Sequence, residues 1–554
     1  MSTTAPAKEI PKEVEEKAGG LKPVVLLKTP ELVQGDTYMV MPMHQSQPCF
    51  KKGLKYSEFE DLTPALAGQT ITVRARVQAV RGKGGICFLF LRKGIYTCQA
   101  VATVSETVPK GLVTFCQKLS AESICDITGE VQKVEKPIDK ATQQDVEIHI
   151  TKICVVSLAE VPLPMQIEDL TFPNSVFEEQ DKEIALVDKK IEEFLEKNKG
   201  KDLTKRPLKD EYAKLTKEKA SAQRYVKVSQ DMRLDNRMLD LRTVTNIAIF
   251  RIQSACSGLF REYLTSKKFV EIHTPKLIGC SSEGGSNIFE VKYFDRKAYL
   301  AQSPQLYKQM AIMGDFRRVF EVGPVFRAEN SNTRRHLTEF EGLDIEMEIN
   351  EDYHECIDVM EGIFTFIFDE IPKRFPDELK VIRKQFPYQD LVYRPFLRLR
   401  YKEGIEMLRA AGETIGDYDD FTTPQEILLG ELIKKKYNTD FYILDKFPSA
   451  IRPFYTMPDV DDPHYSNSYD VFVRGQEITS GAQRIHDPEF LMKRCIEKGV
   501  DPATLKDYIE SFRFGGWPHA GCGIGLERIT MLYLGIPNIR KVTLFPRDPI
   551  RLNP

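Results

Sequence analysis

From Gly68 to about Val161, apolar and polar residues alternate at period two in five short runs: TITVRARVQAV, GICFLFLRKG, YTCQAVATV, SICDITGEVQKV and DVEIHITKICVVS. Alternation of this kind predicts half-buried strands. Gly and Lys in the connections, with one helical piece at VTFCQKL, predict that these strands close into a small barrel of the OB type, residues 66–162. The period then changes. Residues 163–240 are rich in Lys and Glu, with a sparse apolar stripe of Ile184, Val187, Ile191, Phe194 and Leu195. That spacing predicts an amphipathic helix, broken at Asn198–Gly200 and again near Pro207.

Past residue 240 helical and strand patterns mix. NIAIFRIQSACSGLFREYLTSKKF predicts a long helix, followed by a strand in FVEIHTPKL and a Ser- and Gly-rich loop, GCSSEGGSNIFEV. AQSPQLYKQM opens another helix, with Gln305 and Lys308 one turn apart. VFRAE and LTEFEGLDIEM alternate as strands around the polar run NSNTRRH, which makes a hairpin with a long charged tip. Arg327 stands near the end of one strand and Phe340 faces it on the other. Residues 350–445 hold helices in YHECIDVMEGIFTFIFDEI, KEGIEMLRAAG and PQEILLGELIKKKY, to which no chemistry attaches. A second hairpin, YSNSYDVFVRGQEITSGAQRIH, turns at Arg474–Gly475, so that Phe472 opposes Glu477. Asp470 is then the diagonal neighbour of Glu477, roughly 7–8 Å away. HAGCGIGLERITMLYLG is a glycine-rich turn running into a buried helix, with Arg528 in its first turn. A cation there opposes the helix dipole and reads as held for an anionic ligand.

Composition narrows the function classes. The 554 residues imply several domains, and 42% apolar with 29% charged residues describes an ordinary globular chain. A net charge of −3 provides no global basic field, so any nucleic-acid contact must use local patches. No apolar run approaches the ~18 residues of a membrane span, and the first residues lack an apolar signal core. Residues 1–65 show little periodicity, and at least the first twenty read as a disordered tail. The eleven cysteines are scattered without a C-x-x-C pair, which reads as reduced thiols in the cytosol. No G-x-S-x-G signature offers a covalent nucleophile.

The arginine-bearing hairpin at about 322–347 and the glycine-rich turn with Arg528 at about 519–540 resemble motifs 2 and 3 of the class II aminoacyl-tRNA synthetases. The text between them resembles the aspartyl branch, of the cytoplasmic eukaryotic type. The resemblance covers nearly everything from Gly68 onward except the hinge insertion, and it implies an α+β chain. In that chain an N-terminal OB-fold barrel is joined to an antiparallel sheet flanked by helices, with the catalytic domain at 241–554. Motif 1 would lie at about 255–277, and its Pro275 would sit in a homodimer interface. The resemblance further implies a ligase that makes aspartyl-adenylate from ATP and L-aspartate and then charges tRNA(Asp), with no role for DNA or membrane. Arg327, Arg528 and Glu477 would be catalytic. Ser282, Glu283, Gln305, Lys308, Arg327, Ser480 and Arg484 would bind aspartate, with Lys308 and Arg484 offering only donors to its side chain. Arg327, Glu329, Arg335, His336, Leu337, Phe340, Glu477, Gly525, Leu526, Glu527 and Arg528 would bind ATP. Asp470 and Glu477 would bind Mg²⁺, and Phe88, Gln99 and Glu147 would read the anticodon. An asparaginyl enzyme, a lysyl enzyme and an inactive RNA-binding paralogue are the alternatives.

Overall fold

The computed structural model describes residues 37–40, 53, 55–280 and 287–554, in two compact units, 1–170 and 171–554. The expected N-terminal tail, and Ser282 and Glu283 of the Ser/Gly-rich loop, lie outside the described residues.

The first unit is a closed barrel. Its strands are β1 (Tyr38–Val40), β2 (Thr70–Lys83), β3 (Ile86–Lys93), β4 (Tyr96–Thr103), β5 (Ile124–Lys133) and β6 (Val146–Ser157), with helix α1 at Lys110–Gln117. They run in the order β1-β6-β4-β3-β2-β5, and β5 also pairs with β6 to close the ring. Alternation does its work along β2, where Ile71, Val73, Ala75 and Val77 are buried and the intervening Arg74 reaches outward to Asp126 at 2.6 Å. Closure needs a sharp coil, which β-bulges supply. One lies at Thr128/Gly129, where a Cβ on Gly129 would stand 2.4 Å from the His149 carbonyl oxygen. The barrel also draws on residues ahead of Gly68: β1 pairs with β6, and Phe59 and Leu62 are buried in its core. Those contributions carry no periodic pattern, because each is a single short contact with a surface made elsewhere.

The second unit begins with the charged helices α2 (Asn174–Lys197) and α3 (Leu208–Ala222). They pack through a narrow seam in which Phe194 stacks on Tyr212 at 6.1 Å, while Leu195 of the expected stripe is 39% exposed. In chain order there follow α4 (Gln230–Asp235), α5 (Arg237–Asp240), α6 (Val244–Ser266), β7 (Val270–Glu271), β8 (Leu277–Ile278), β9 (Glu290–Tyr293) and β10 (Arg296–Leu300). Next are α7 (Gln305–Met313), β11 (Arg318–Phe326), β12 (Glu339–Glu348), α8 (His354–Arg374), α9 (Pro376–Gln385), β13 (Leu397–Arg400), α10 (Tyr401–Ala410) and α11 (Thr423–Tyr437). The chain closes with β14 (Phe441–Asp445), β15 (Ser468–Val473), β16 (Gln476–Gln483), α12 (Pro488–Glu497), α13 (Lys506–Glu510), β17 (His519–Gly525) and α14 (Leu526–Tyr533).

Eight of these strands form one sheet in the order β13-β14-β15-β16-β17-β12-β11-β7. It is antiparallel except at its two edges, where β7 runs parallel to β11 and β13 parallel to β14. Helix α6 buries Ile249, Ile252, Cys256, Leu259 and Phe260, and Phe260 meets Phe320 of β11 edge-on at 5.8 Å. Two elements are shorter than their sequence patterns. FVEIHTPKL keeps Val270–Glu271 and, at its last residue, the start of β8 as strand, and the hairpin strands stop at Phe326 and Glu339, leaving 327–338 as the loop.

Helix α11 has a sequence-encoded start, a capping box between Thr422 and Gln425. Its middle presses on the β15–β16 turn, where Arg474 and Gly475 both have positive φ. A Cβ on Gly430 would stand 2.3 Å from the Gly475 Cα. Backbone cannot yield there as a side chain can, so Gly430→Ala should destabilise the unit by about 1–3 kcal/mol. A melting temperature equal to wild type would refute that contact.

Candidate active site

The strands β12, β17 and β16 lie side by side at the centre of the sheet, and their exposed ends floor a cavity of about 380 Å³. Its walls come from the start of α7, the 327–338 loop, the first turn of α14 and the segment around Arg452.

Beneath the floor is a buried set of charges. Lys308 Nζ lies 3.0 Å from Asp344 Oδ1 and 3.4 Å from Glu346 Oε2, and also donates to the Ile345 and Cys522 carbonyls. Arg484 Nε donates to Glu346 Oε1 at 3.0 Å, and its Nη2 to the Gly521 carbonyl at 2.9 Å. Burial works against every one of these charges, but Arg484 and Lys308 hold the Glu346 carboxyl below its ordinary range. Glycine at 521 is required by this packing: a Cβ there would stand 2.1 Å from Glu346 Oε2. The expectation that Lys308 and Arg484 form a pocket of donors alone is therefore corrected. Lys308 turns down to the acids, and Arg484 is the one of the pair that lines the cavity. Gln305 also lines it, with a buried Nε2 that has no hydrogen-bond partner among the described residues.

The upper wall is cationic. Arg327 stands 5.7 Å from the centroid of the Phe340 ring and 3.9 Å from Glu329. Phe340 is paired in register with Val325, and Arg327 donates its backbone N–H to the Thr338 carbonyl, so arginine and ring are diagonal neighbours rather than directly opposed. Arg335 is ion-paired to Glu426 of α11 at 2.6 Å. Arg528 donates to the Glu477 carbonyl oxygen at 3.3 Å. His336 Nδ1 meets Thr333 Oγ1 at 2.5 Å, and burial followed by the nearby Arg528 lowers its pKa. Leu337 lines the same wall, while Gly525 caps α14 and Leu526 is buried in its first turn.

The second hairpin keeps the expected register of Phe472 with Glu477, but a bulge beyond Val471 moves Asp470 opposite Ser480. Asp470 is buried and paired to Arg452 at 2.8 Å; burial, with Glu477 nearby, pushes its pKa up to about 7. Its Oδ1 has no hydrogen-bond partner among the described residues. Glu477 and Ser480 line the cavity. Glu527 is buried beside Glu341, whose backbone N–H it accepts at 3.2 Å.

Asp344, Glu346, Glu426 and Arg452 are the site residues that sequence reasoning missed. Asp344 and Glu346 were visible as acids alternating along β12, but such a face usually meets water. Here it meets Lys308 and Arg484, and Asp344 also lines the cavity.

A family model of tRNA synthetases class II (D, K and N) matches residues 229–549. The chain belongs to this family. It is 48% identical over 534 residues to the cytoplasmic aspartate–tRNA ligase of Homo sapiens, covering 96% of this chain and 98% of that one. Among solved structures it is similar to the aspartyl tRNA synthetase from Entamoeba histolytica, with 77% identity, a TM-score of 0.83, and 96% of this chain and 100% of that one covered. The asparaginyl-tRNA synthetase from Pyrococcus horikoshii complexed with asparaginyl-adenylate is more distant, at 27% identity and a TM-score of 0.73, covering 90% and 100%. Within this class II synthetase the sheet, the arginine-bearing loop and the α14 turn are the parts the family model spans.

Burial raises the Glu527 pKa to about 8. Its folded pKa therefore lies above the unfolded value near 4.5, and the folded state loses stability as pH rises from there through 8. Glu527→Gln keeps an oxygen for the Glu341 N–H and removes the titration. Relative to wild type it should gain at least about 1 kcal/mol between pH 5 and pH 8. Parallel denaturation curves at the two pH values would contradict this.

Proposed function

We infer that this chain is an aspartate–tRNA ligase of the cytoplasm. It activates L-aspartate with ATP to aspartyl-adenylate, releasing pyrophosphate, and passes the aspartyl group to the 3′ end of tRNA(Asp). The observation that carries the aspartate reading is the orphaned Gln305 Nε2 in the lining of a cavity that Arg484, already held through Nε and Nη2, also lines. Both groups have donors to spend, and neither Arg484 nor the amide nitrogen can accept. A side-chain carboxylate satisfies them, whereas asparagine would turn an NH₂ group toward one of them. Lys308 contributes at one remove, by pairing with Glu346, the acid that holds Arg484.

Activation needs positioning and charge neutralisation rather than a nucleophile. Arg327 bridges the α-carboxylate of aspartate and the α-phosphate. Arg528 takes the γ-phosphate, Phe340 stacks on adenine, Glu329 contacts adenine or the tRNA end, and Arg335 and His336 complete the phosphate wall. Ser480, and Ser282 and Glu283 of the Ser/Gly-rich loop, close the aspartate side. Asp470 and Glu477 would hold Mg²⁺, which supplies positive charge against the phosphates; the unpartnered Oδ1 of Asp470 suits such an ion. In the barrel, Phe88 is 38% exposed, and Gln99 donates to Glu147 at 2.9 Å on the neighbouring strand. These three are proposed to read the anticodon. The homodimer proposed through Pro275 has support in an apolar groove on α6 that includes Ile247, Phe250 and Ala255. No helix among the described residues is long and apolar enough to cross a membrane.

ATP–pyrophosphate exchange measured with each amino acid tests the assignment. Aspartate should support exchange and asparagine should not, with discrimination on the order of 10⁴ for a site built on such pairing. Preference for asparagine would hand the chain to the asparaginyl reading. Arg327→Ala and Arg528→Ala should each slow exchange by ~10²–10³; near-normal rates would remove their assigned roles. Phe88→Ala should weaken tRNA charging by roughly 1–3 kcal/mol while leaving exchange intact. Equal loss in both assays would make Phe88 structural.

A further inference from the structure

Helix α11 brings a carboxylate to the phosphate wall from a stretch whose sequence carries no catalytic pattern. Glu426 stands in its first turn, with its side chain 8% exposed, and faces Arg335 of the 327–338 loop. The pair is bidentate: Arg335 Nη1 lies 2.6 Å from Oε2 and Nη2 3.4 Å from Oε1. We propose that Glu426 is a positioning residue for ATP, holding the Arg335 guanidinium in the orientation that meets the phosphates. The proposal rests on the ATP reading of the cavity given above.

Three observations support it. Arg335 lines the cavity with Arg327, His336 and Arg528, so an anion bound there meets a guanidinium whose rotamer Glu426 has already restricted. The carboxylate occupies the Nη1/Nη2 end of the fork, and five N–H donors are shared over three nitrogens, so Nε and part of each Nη group remain for phosphate oxygens. The carboxylate is itself on a fixed support. Glu426 and Gly430 are one turn apart on the α11 face that presses on the β15–β16 turn, and the neighbouring Glu477 belongs to that same hairpin. The loop is fastened on its other side by Arg540, which donates to Asn332 Oδ1 at 2.6 Å and the Thr333 carbonyl at 2.8 Å, and is itself paired to Asp548 at 2.7 Å. Arg335 is thus the point at which a loop anchored from behind is aimed from the front.

A positioning carboxylate and a competing one predict opposite signs. If Glu426 only sequestered Arg335, removing its charge would free the guanidinium and lower the KM for ATP. Positioning predicts the reverse. In the full-length protein, Glu426→Gln should raise the KM for ATP in pyrophosphate exchange by ~10-fold or more, the size expected for a lost charge-assisted hydrogen bond. The KM for aspartate should stay within about twofold, and Glu426→Asp should recover part of the loss, because it keeps the charge. Arg335→Gln should show the same ATP phenotype, and the double variant should be no worse than Arg335→Gln alone, since the two act as one unit. An unchanged or lowered KM for ATP in Glu426→Gln, with Arg335→Gln impaired, overturns the positioning role and leaves the ATP site standing. An unimpaired Arg335→Gln overturns both. A uniform fall in kcat with a raised KM for both substrates and a lowered melting temperature, not recovered by Glu426→Asp, would make the pair structural and also overturn the proposal.

Discussion

The catalytic unit is organised around four buried charges, two of which, Asp344 and Arg484, also line the cavity. Lys308, Asp344, Glu346 and Arg484 come from α7, β12 and the end of β16, and each is at most 5% exposed. Buried ions survive only when paired and further hydrogen-bonded, and these use backbone carbonyls at Ile345, Gly521 and Cys522 to complete the set. The arrangement ties the start of α7 to the two central strands and fixes the register in which β12 lies against β17. It also explains why Gly521 has no side chain: its absence is filled by a carboxylate of the same protein, not by a ligand.

Above this floor the molecule invests in anchoring a loop. Residues 327–338 have no ladder of their own beyond the Arg327–Thr338 bond, yet five of them line the cavity, Arg327 and Arg335 included. Arg540 and Asp548 hold the loop from one side and Glu426 from the other. Ion pairs suit that task better than apolar packing, because the wall must stay polar and open to an anionic substrate. The same logic places Arg452 across Asp470, whose carboxylate would otherwise be a lone buried acid beside Glu477.

The barrel unit follows simpler rules. Its core alternates most plainly along β2 and β3, and Arg92 with Glu122 at 2.8 Å is a deeply buried ion pair within it. Phe88, Gln99 and Glu147, the proposed anticodon readers, stand outside that core as exposed or half-exposed side chains.

Patterns of period two and three and a half to four residues were enough to read five barrel strands, the charged helical stretch, both hairpins of the second unit and the helix that carries Arg528. The residues of the loop and of the α14 turn were singled out through the resemblance to motifs 2 and 3, which a sequence can carry because each motif lies within a short contiguous stretch. What only the tertiary structure decided is which charge meets which. Lys308 finds Asp344 36 residues on, Arg335 finds Glu426 91 residues on, and Arg484 finds Glu346 138 residues back. Local periodicity states that a position is polar and which face it shares. It does not state whether that face meets water or another strand's charge, because the partner arrives from an independent segment. The bulge that moves Asp470 opposite Ser480 is of the same kind, a local slip without a one-residue signature, set by how the β15–β16 hairpin must lie in the sheet and under α11.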